Sequence, residues 1–374
     1  MKRRLILHIG AHKTGTTAIQ GFLNRSENSL ASAGWELVKI NGVVNLSNTI
    51  EFRRGGNGRA QFNFHPHMLD MIAGSLGDNG RDMIISSEDM FFLNDTASLP
   101  GLSEVVRSLG FKVTIVVYLR NQVEMAASNK AQGAKTSQSA LVFGNDKRNV
   151  LPELTADTLE YLSYHQKLSH WKTHFPDAEF IVRNYNRHLL AGGDSVTDFI
   201  QACGLPFKPD GTQLNESIGS KLTNLLHDLR FHGLPPNVAW SLFRRGFFTD
   251  DGGLKQSPSA QQAAAFMAAF EEDNRKTARD FGVDLTLDCS NFPNEEVLQP
   301  DDQAFIFQNI ASALNNLHQS VAPRSIDTIR DSAIALEDTD LKQAHALMQV
   351  AHALRPNGRK IQEKLKSYEE KLGL

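Results

Sequence analysis

His8-Ile9-Gly10-Ala11-His12-Lys13-Thr14-Gly15-Thr16-Thr17 follows the apolar run Leu5 to Ile9 and leads into the helix-like stretch Ala18 to Leu23. Strand, glycine turn and helix in that order build a phosphate cradle, because the turn N–H groups and the positive end of the helix dipole converge on an anion. The stretch nearly spells the nucleotide-triphosphate P-loop, in which two glycines lead directly into Lys-Ser/Thr. Here the lysine lies inside the loop at Lys13, and Thr16 takes the slot after Gly15. A lysine so placed meets the anion from the side, next to the oxygen that departs. Thr16 and Thr17 add hydroxyl donors, and in nucleotide hydrolases the same hydroxyl position serves Mg²⁺. The plainer alternative is a glycine turn carrying a solvated lysine; the flanking strand and helix favour phosphate binding.

A second landmark is Lys112-Val113-Thr114-Ile115-Val116-Val117-Tyr118-Leu119-Arg120, a β-branched run that suits a buried parallel strand and ends in an arginine. Asn121 is placed to cap the next helix, and Gly133 to stop it. Ser128 falls about two turns, roughly 10 Å, along that helix, within reach of a phosphate held by the long Arg120 side chain. Without further context, a surface ion pair at Arg120 and a filler at Ser128 explain the pattern equally well.

The stretch from His8 to Gln20 resembles the 5′-phosphosulfate loop of bacterial sulfotransferases that use 3′-phosphoadenosine 5′-phosphosulfate (PAPS), and Arg120 with Ser128 eight residues later resembles their 3′-phosphate element. Ile84-Ile85-Ser86-Ser87-Glu88 is similar to a strand end whose glutamate lies near the acceptor, and Asn215-Glu216-Ser217 to a short element late in the catalytic domain. The resemblance implies an α/β fold, a P-loop-like parallel sheet flanked by helices. It implies transfer of the sulfuryl group from PAPS to a hydroxyl or amine of a small-molecule, saccharide or glycolipid acceptor, with release of the desulfated product PAP and no metal required. Gly10, His12, Lys13, Thr14, Gly15, Thr16, Thr17, Arg120 and Ser128 are then the co-substrate residues. Lys13 stabilises the leaving oxygen and Glu88 is the base, with His12 in reserve; a Glu88 that merely orients Lys13 is the alternative.

The chain departs from the family where Tyr-Glu-Asp or Tyr-Glu-Leu often follows the strand Glu179 to Arg183; here Asn184-Tyr185-Asn186-Arg187 stands. No basic glycine loop for the adenosine 3′-phosphate is evident, and Lys221 or Arg183 are the substitutes. Two other functions fit more loosely: a P-loop nucleotide or small-molecule kinase, which needs Lys after the second glycine and an acidic Mg²⁺ ligand, and a non-catalytic nucleotide-binding interaction protein.

The 374 residues are long enough for one sizeable core and an accessory piece, and the net charge of −3 exerts no global pull on nucleic acid. Cys203 and Cys289 stand far apart, giving no disulfide framework or zinc spacing, as in a cytoplasmic protein. No apolar run approaches the roughly 18 to 20 residues of a spanning helix. Strands are expected at Leu5 to Ile9, Asp82 to Ser87, Lys112 to Leu119 and Glu179 to Val182, and helices at Glu104 to Leu109, Thr155 to Phe175 and Ser195 to Cys203. Asn41 to Phe64 reads as a long loop whose Arg53, Arg54 and Arg59 could greet an anionic acceptor, followed by His65 and His67 as acceptor or helix-capping residues. The domain expectation is 1–290 for the sulfotransferase-like α/β part and 300–374 for an all-helical extension. Within the extension Ser325 to Pro356 resembles a tetratricopeptide-like helix pair through Ala335, Ala344, Met348, Ala351 and Pro356. A single unit of that kind cannot bury its own face, so the extension is expected to meet the catalytic part, a second copy of the chain or another protein.

Overall fold

The computed structural model describes residues 2–54, 59–77, 80–135, 139, 142–144, 147–209, 219–250, 252–320 and 323–374. They form two compact units, Met1–Ala239 with Asp251–Pro300, and Trp240–Asp250 with Asp301–Leu374. Among the described residues no helix is long and apolar enough to cross a membrane.

The described strands of the first unit are β1 (Arg4–His8), β2 (Trp35–Leu37), β3 (Ile50–Arg54), β4 (Ala60–Phe64), β5 (Asp82–Ser86), β6 (Lys112–Leu119) and β7 (Glu179–Asn184). Five of them make a parallel sheet in the order β2-β5-β1-β6-β7. Helices α1 (Thr16–Arg25), α2 (Glu27–Ser32), α3 (Met68–Ser75), α4 (Ser98–Ser108) and α5 (Gln122–Gln132) fill the connections as far as residue 132. The fold is α/β, a P-loop-like parallel sheet flanked by helices, and the second unit is all-helical among its described residues.

Both faces of the central strands are covered, which is why they read as continuous apolar runs. Successive residues point to opposite faces. Leu5, Leu7, Ile85, Ile115 and Val117 join one core with Leu102, Leu168 and Trp171. Their neighbours Ile6, Ile84, Val116 and Tyr118 join the other, with Ile19 and Phe22 of α1 and Phe199 of the helix Ser195–Ala202. Asn121 caps α5 by accepting from Glu124 N, and Gly133 occupies its C-cap position. Asp194 caps Ser195–Ala202 in the same way, accepting from Thr197 N.

Four features differ from the sequence expectation. The helix expected over Thr155 to Phe175 is two, Ala156–Leu162 and Tyr164–His174, parted at Ser163, whose ψ of 95° is extended. The segment read as a loop from Asn41 to Phe64 contains the antiparallel pair β3–β4, with Ile50 opposite Phe64 and Phe52 opposite Phe62. Its alternation of Ile50, Phe52, Ala60, Phe62 and Phe64 is only a few residues long on each side, and Gly, Asn and Arg dilute it. The helix ahead of β6 begins at Ser98, six residues before Glu104, because Asp95 accepts from Ala97 N and Ser98 N. In the second unit the helices Pro323–Leu336, Leu341–Leu354 and Arg359–Leu372 share a core of Ile326, Ala333, Ala344, Met348, Ala351, Ile361 and Tyr368. Ala335 is exposed; Ala333, two positions earlier, takes the buried place.

One polar network lies inside the sheet's edge. The fully buried Asp198 carboxylate accepts from Arg183 Nε at 2.9 Å and Nη2 at 2.5 Å, from Tyr118 Oη at 2.9 Å and from Ala191 N at 2.9 Å. Burial raises its pKa, but the bonds from Arg183, Ala191 N and Tyr118 outweigh that and hold it below the ordinary value. A depressed folded pKa stabilises above the unfolded value and ceases to do so as the pH falls through the folded one. Asp198→Ala should therefore lower stability in urea unfolding at pH 7 by about 3 kcal/mol, since it strands the Arg183 charge and takes the acceptor from Tyr118 Oη and Ala191 N. The gap to wild type should close below about pH 4.

Candidate functional site

β1 is the middle strand, and its carboxyl end sets the geometry. His8 pairs with Ser86 of β5 and Val116 of β6. On leaving the sheet, Ile9 N donates to Val116 O at 3.0 Å and Ser87 N to His8 O at 2.9 Å. The turn from Gly10 to Gly15, the residue Glu88 just past β5, and Arg120 just past β6 consequently emerge from three adjacent strand ends.

Gly10 has φ +65°, and a Cβ on it would lie 2.6 Å from Glu88 Cα and 3.1 Å from Thr16 Cγ2. The close approach of those backbones requires glycine. Gly15, at φ +80°, is the N-cap of α1, where a Cβ would fall 2.5 Å from Ser195 Oγ and 3.0 Å from Tyr185 Cε2. The N–H groups of Thr16 and Thr17, in the first turn of α1, have no intrahelical acceptor by construction and form the anion-facing end of the helix.

The loop side chains divide in a way the sequence did not reveal. Lys13 adopts φ +62°, a strained conformation for a residue with a Cβ. Its Nζ donates to Gln132 Oε1 at 3.4 Å. Burial lowers the Lys13 pKa; the Glu88 charge opposes that fall and the Arg120 charge adds to it. Thr14 is fully buried and its hydroxyl donates to Ala11 O at 2.6 Å, so its side chain closes the turn. Thr16 Oγ1 donates to Glu88 Oε2 at 2.6 Å, which ties the helix start to the carboxylate. Thr17 is exposed.

His12 is held on every side. Its Nε2 is 2.5 Å from Asp89 Oδ1, its Nδ1 pairs with Tyr161 Oη, and its ring stacks on Phe92 at 4.6 Å. Burial pulls its pKa down, but the charge and hydrogen bond of Asp89, aided by Glu88, carry the net shift upward. With both ring nitrogens engaged, His12 braces the loop. Asp89 and Tyr161 are the partners that sequence reading missed; Asp89 is next to Glu88, whereas Tyr161 comes from a distant helix and left no signal.

Arg120 and Ser128 line one cleft of about 580 Å³. Arg120 Nε donates to Glu124 Oε2 at 2.9 Å, one turn along α5. Gly252, Gly253 and Lys255 line it as well. Sequence reading did not single out this segment, which stands alone between unrelated segments and joins the lining of the Arg120 cleft only in the fold. It is anchored by Ser220 Oγ donating to Leu254 O at 2.6 Å and Leu254 N donating to Gln299 Oε1 at 2.7 Å. Lys147 lines the cleft too and pairs with Asp228 at 2.7 Å. Of the expected substitutes for such a loop, Arg183 is committed to Asp198, and Lys221 meets Gly252 through its backbone N–H at 3.2 Å.

Of the three arginines in the expected loop, Arg53 approaches Glu51 at 4.0 Å and Arg59 approaches Glu160 at 3.6 Å. The Arg54 side chain and the Asn215 to Ser217 element lie outside the described residues. His67 stands at the N-cap position of α3 with its side chain exposed, and His65 is exposed beside it. Among the described residues no group of three His, Cys, Asp or Glu is placed to hold a metal ion.

No protein-family model matches the chain. It is 28% identical over 211 residues to an uncharacterized protein of Archaeoglobus fulgidus; the match takes in 53% of this chain and 53% of that protein. The chain thus spans about half the length of the curated relative it matches. Among solved structures, a sulfotransferase from Alicyclobacillus acidocaldarius aligns with 76% of this chain and 98% of that one, at a TM-score of 0.40 and 14% identity.

The loop geometry can be checked by Gly10→Ala. The strained φ and the contact with the Glu88 backbone should cost about 2 kcal/mol or more, read as a fall in the urea midpoint at unchanged m-value.

Proposed function

We propose that this chain is a sulfotransferase that moves the sulfuryl group of PAPS to a hydroxyl or amine of an acceptor and releases PAP. The observation that supports it best is the convergence at the carboxyl ends of the three central strands of an in-loop lysine, a carboxylate and an arginine-serine cleft. Lys13, Glu88 and Arg120 lie close enough for the charges of Glu88 and Arg120 to perturb Lys13. Such a site needs a cradle for the 5′-phosphosulfate, a cation beside the departing oxygen, a base for the acceptor proton, and a second anion site for the 3′-phosphate.

In this reading the N–H groups of the Gly10 to Thr17 turn hold the 5′-phosphosulfate. Glu88 takes the acceptor proton while the acceptor oxygen or nitrogen forms its bond to sulfur and the bond from sulfur to the phosphate oxygen breaks. Thr16 fixes the Glu88 carboxylate from one side through Oε2. Lys13 stabilises the charge that collects on the departing oxygen, a fixed electrostatic contribution of the kind that dominates many enzymes. Arg120 and Ser128, with the Gly252 to Lys255 loop across the cleft, hold the 3′-phosphate that distinguishes PAP from ADP.

The kinase reading is weaker on geometric grounds. The slot after Gly15, where that class carries its lysine, holds Thr16, and the Thr16 hydroxyl donates to Glu88.

Calorimetric titration in EDTA should show micromolar PAP binding and no comparable ATP binding, with PAP binding abolished in folded Lys13→Ala. ATP binding that requires Mg²⁺ would replace this reading with the kinase one. Arg120→Ala should weaken PAP about tenfold or more, the loss of one charge-assisted phosphate contact. The same variant should leave adenosine 5′-phosphate, which lacks the 3′-phosphate, within about twofold.

A further inference from the structure

We propose that Glu124 is a positioning residue for the 3′-phosphate: it holds the Arg120 guanidinium by Nε, so that the two terminal nitrogens are presented to the cleft as a fork. The proposal rests on the sulfuryl-transfer reading and adds to it a residue that sequence reading did not single out.

Glu124 and Ser128 stand four and eight residues after Arg120, and all three line the same cleft. The spacing of four puts Glu124 and Ser128 on one face of α5. The cap fixes the start of that helix, because Asn121 Oδ1 accepts from Glu124 N at 2.9 Å. With its backbone pinned there, Glu124 turns its carboxylate back to the residue before the cap, and Oε2 accepts from Arg120 Nε at 2.9 Å.

A guanidinium carries one N–H on Nε and four on its terminal nitrogens. Glu124 engages the first. Neither terminal nitrogen of Arg120 has a hydrogen-bond partner among the described residues. The end-on edge is therefore left for two parallel bonds to phosphate oxygens, the geometry in which arginine recognises that group. An arginine without such a tether loses rotamer freedom when it binds, and fixing it beforehand removes that cost from the affinity.

The place of the carboxylate favours this role over a stabilising one. Among the residues that line the cleft, Arg120, Lys130, Lys147 and Lys255 are cations and Glu124 is the one carboxylate. A negative charge there repels any anion that the cleft admits, so its presence needs an offsetting benefit. Lys147 shows the alternative arrangement: it pairs at 2.7 Å with Asp228, which is not among the lining residues. Folding stability is not the benefit, since the Arg120 and Glu124 side chains are 28% and 41% exposed and pairs of that kind contribute little.

The test uses the full chain and calorimetry with PAP and adenosine 5′-phosphate. Glu124→Gln and Glu124→Ala remove the same charge, but only glutamine keeps an oxygen for Arg120 Nε. Glu124→Gln should bind PAP about fivefold or more tightly than Glu124→Ala, the effect of one side chain fixed in advance. The two variants should agree within about twofold for adenosine 5′-phosphate, and also for PAP once Arg120→Ala is added to each. Their urea midpoints should match that of the wild type. Equal PAP affinity in the two variants overturns the proposal, as does a difference that persists without Arg120 or extends to adenosine 5′-phosphate. Wild type that binds PAP no more tightly than adenosine 5′-phosphate overturns the 3′-phosphate assignment and this proposal together. Wild type that binds neither overturns the sulfuryl-transfer reading, and the proposal with it.

Discussion

The parallel pairing of β1 with β5 on one side and β6 on the other is the constraint on which the site depends. Once His8 is in register with Ser86 and Val116, the three strands end together, and the residues just past each of them must share one small volume. Those residues are a glycine turn, a glutamate and an arginine. In open α/β sheets ligands bind at the carboxyl ends of strands for this reason: the backbone has finished its ladder there and its N–H groups are available. Gly10 makes the convergence possible at atomic scale, since any side chain on it would strike the Glu88 backbone.

Within that volume each polar group has one task and a partner that holds it to that task. Thr14 closes the turn on Ala11, Thr16 holds Glu88, and Asp89 with Tyr161 holds His12. Lys13, in a strained left-handed conformation and with a long bond to Gln132, is the least firmly committed of the loop's polar side chains. Strain retained at one residue while its neighbours are over-determined is the pattern of a site whose geometry is set before a ligand arrives.

Two differently built spaces take part of their lining from residues beside the loop. The cleft of Arg120 and Ser128 is lined also by Lys130, Lys147 and the segment Gly252 to Lys255. The cavity beside Phe92 and Tyr161 is lined by Asp157, Glu160 and Lys167. Arg183, a positive group that sequence reading offered to the donor, instead neutralises the buried Asp198.

Elements with a local signal were legible in the order of residues alone. Buried parallel strands announce themselves as apolar runs, the caps Asn121 and Asp194 by residue type, and the turn at Gly10 to Thr17 by its two glycines, so β1, β5, β6, β7 and the loop could be read directly, whereas the three-residue β2 was too short to read. The break at Ser163 and the β3–β4 pair could not, because a helix pattern runs through the first and a few alternating residues are too weak a signal for the second. Relations between residues apart in the chain were settled by the folded arrangement: His12 with Tyr161, Arg183 with Asp198, and the Gly252 to Lys255 segment sharing one cleft with Arg120. A hydrogen bond or an ion pair is made by side chains that meet, and a linear pattern records which groups are available without recording which of them the sheet brings together.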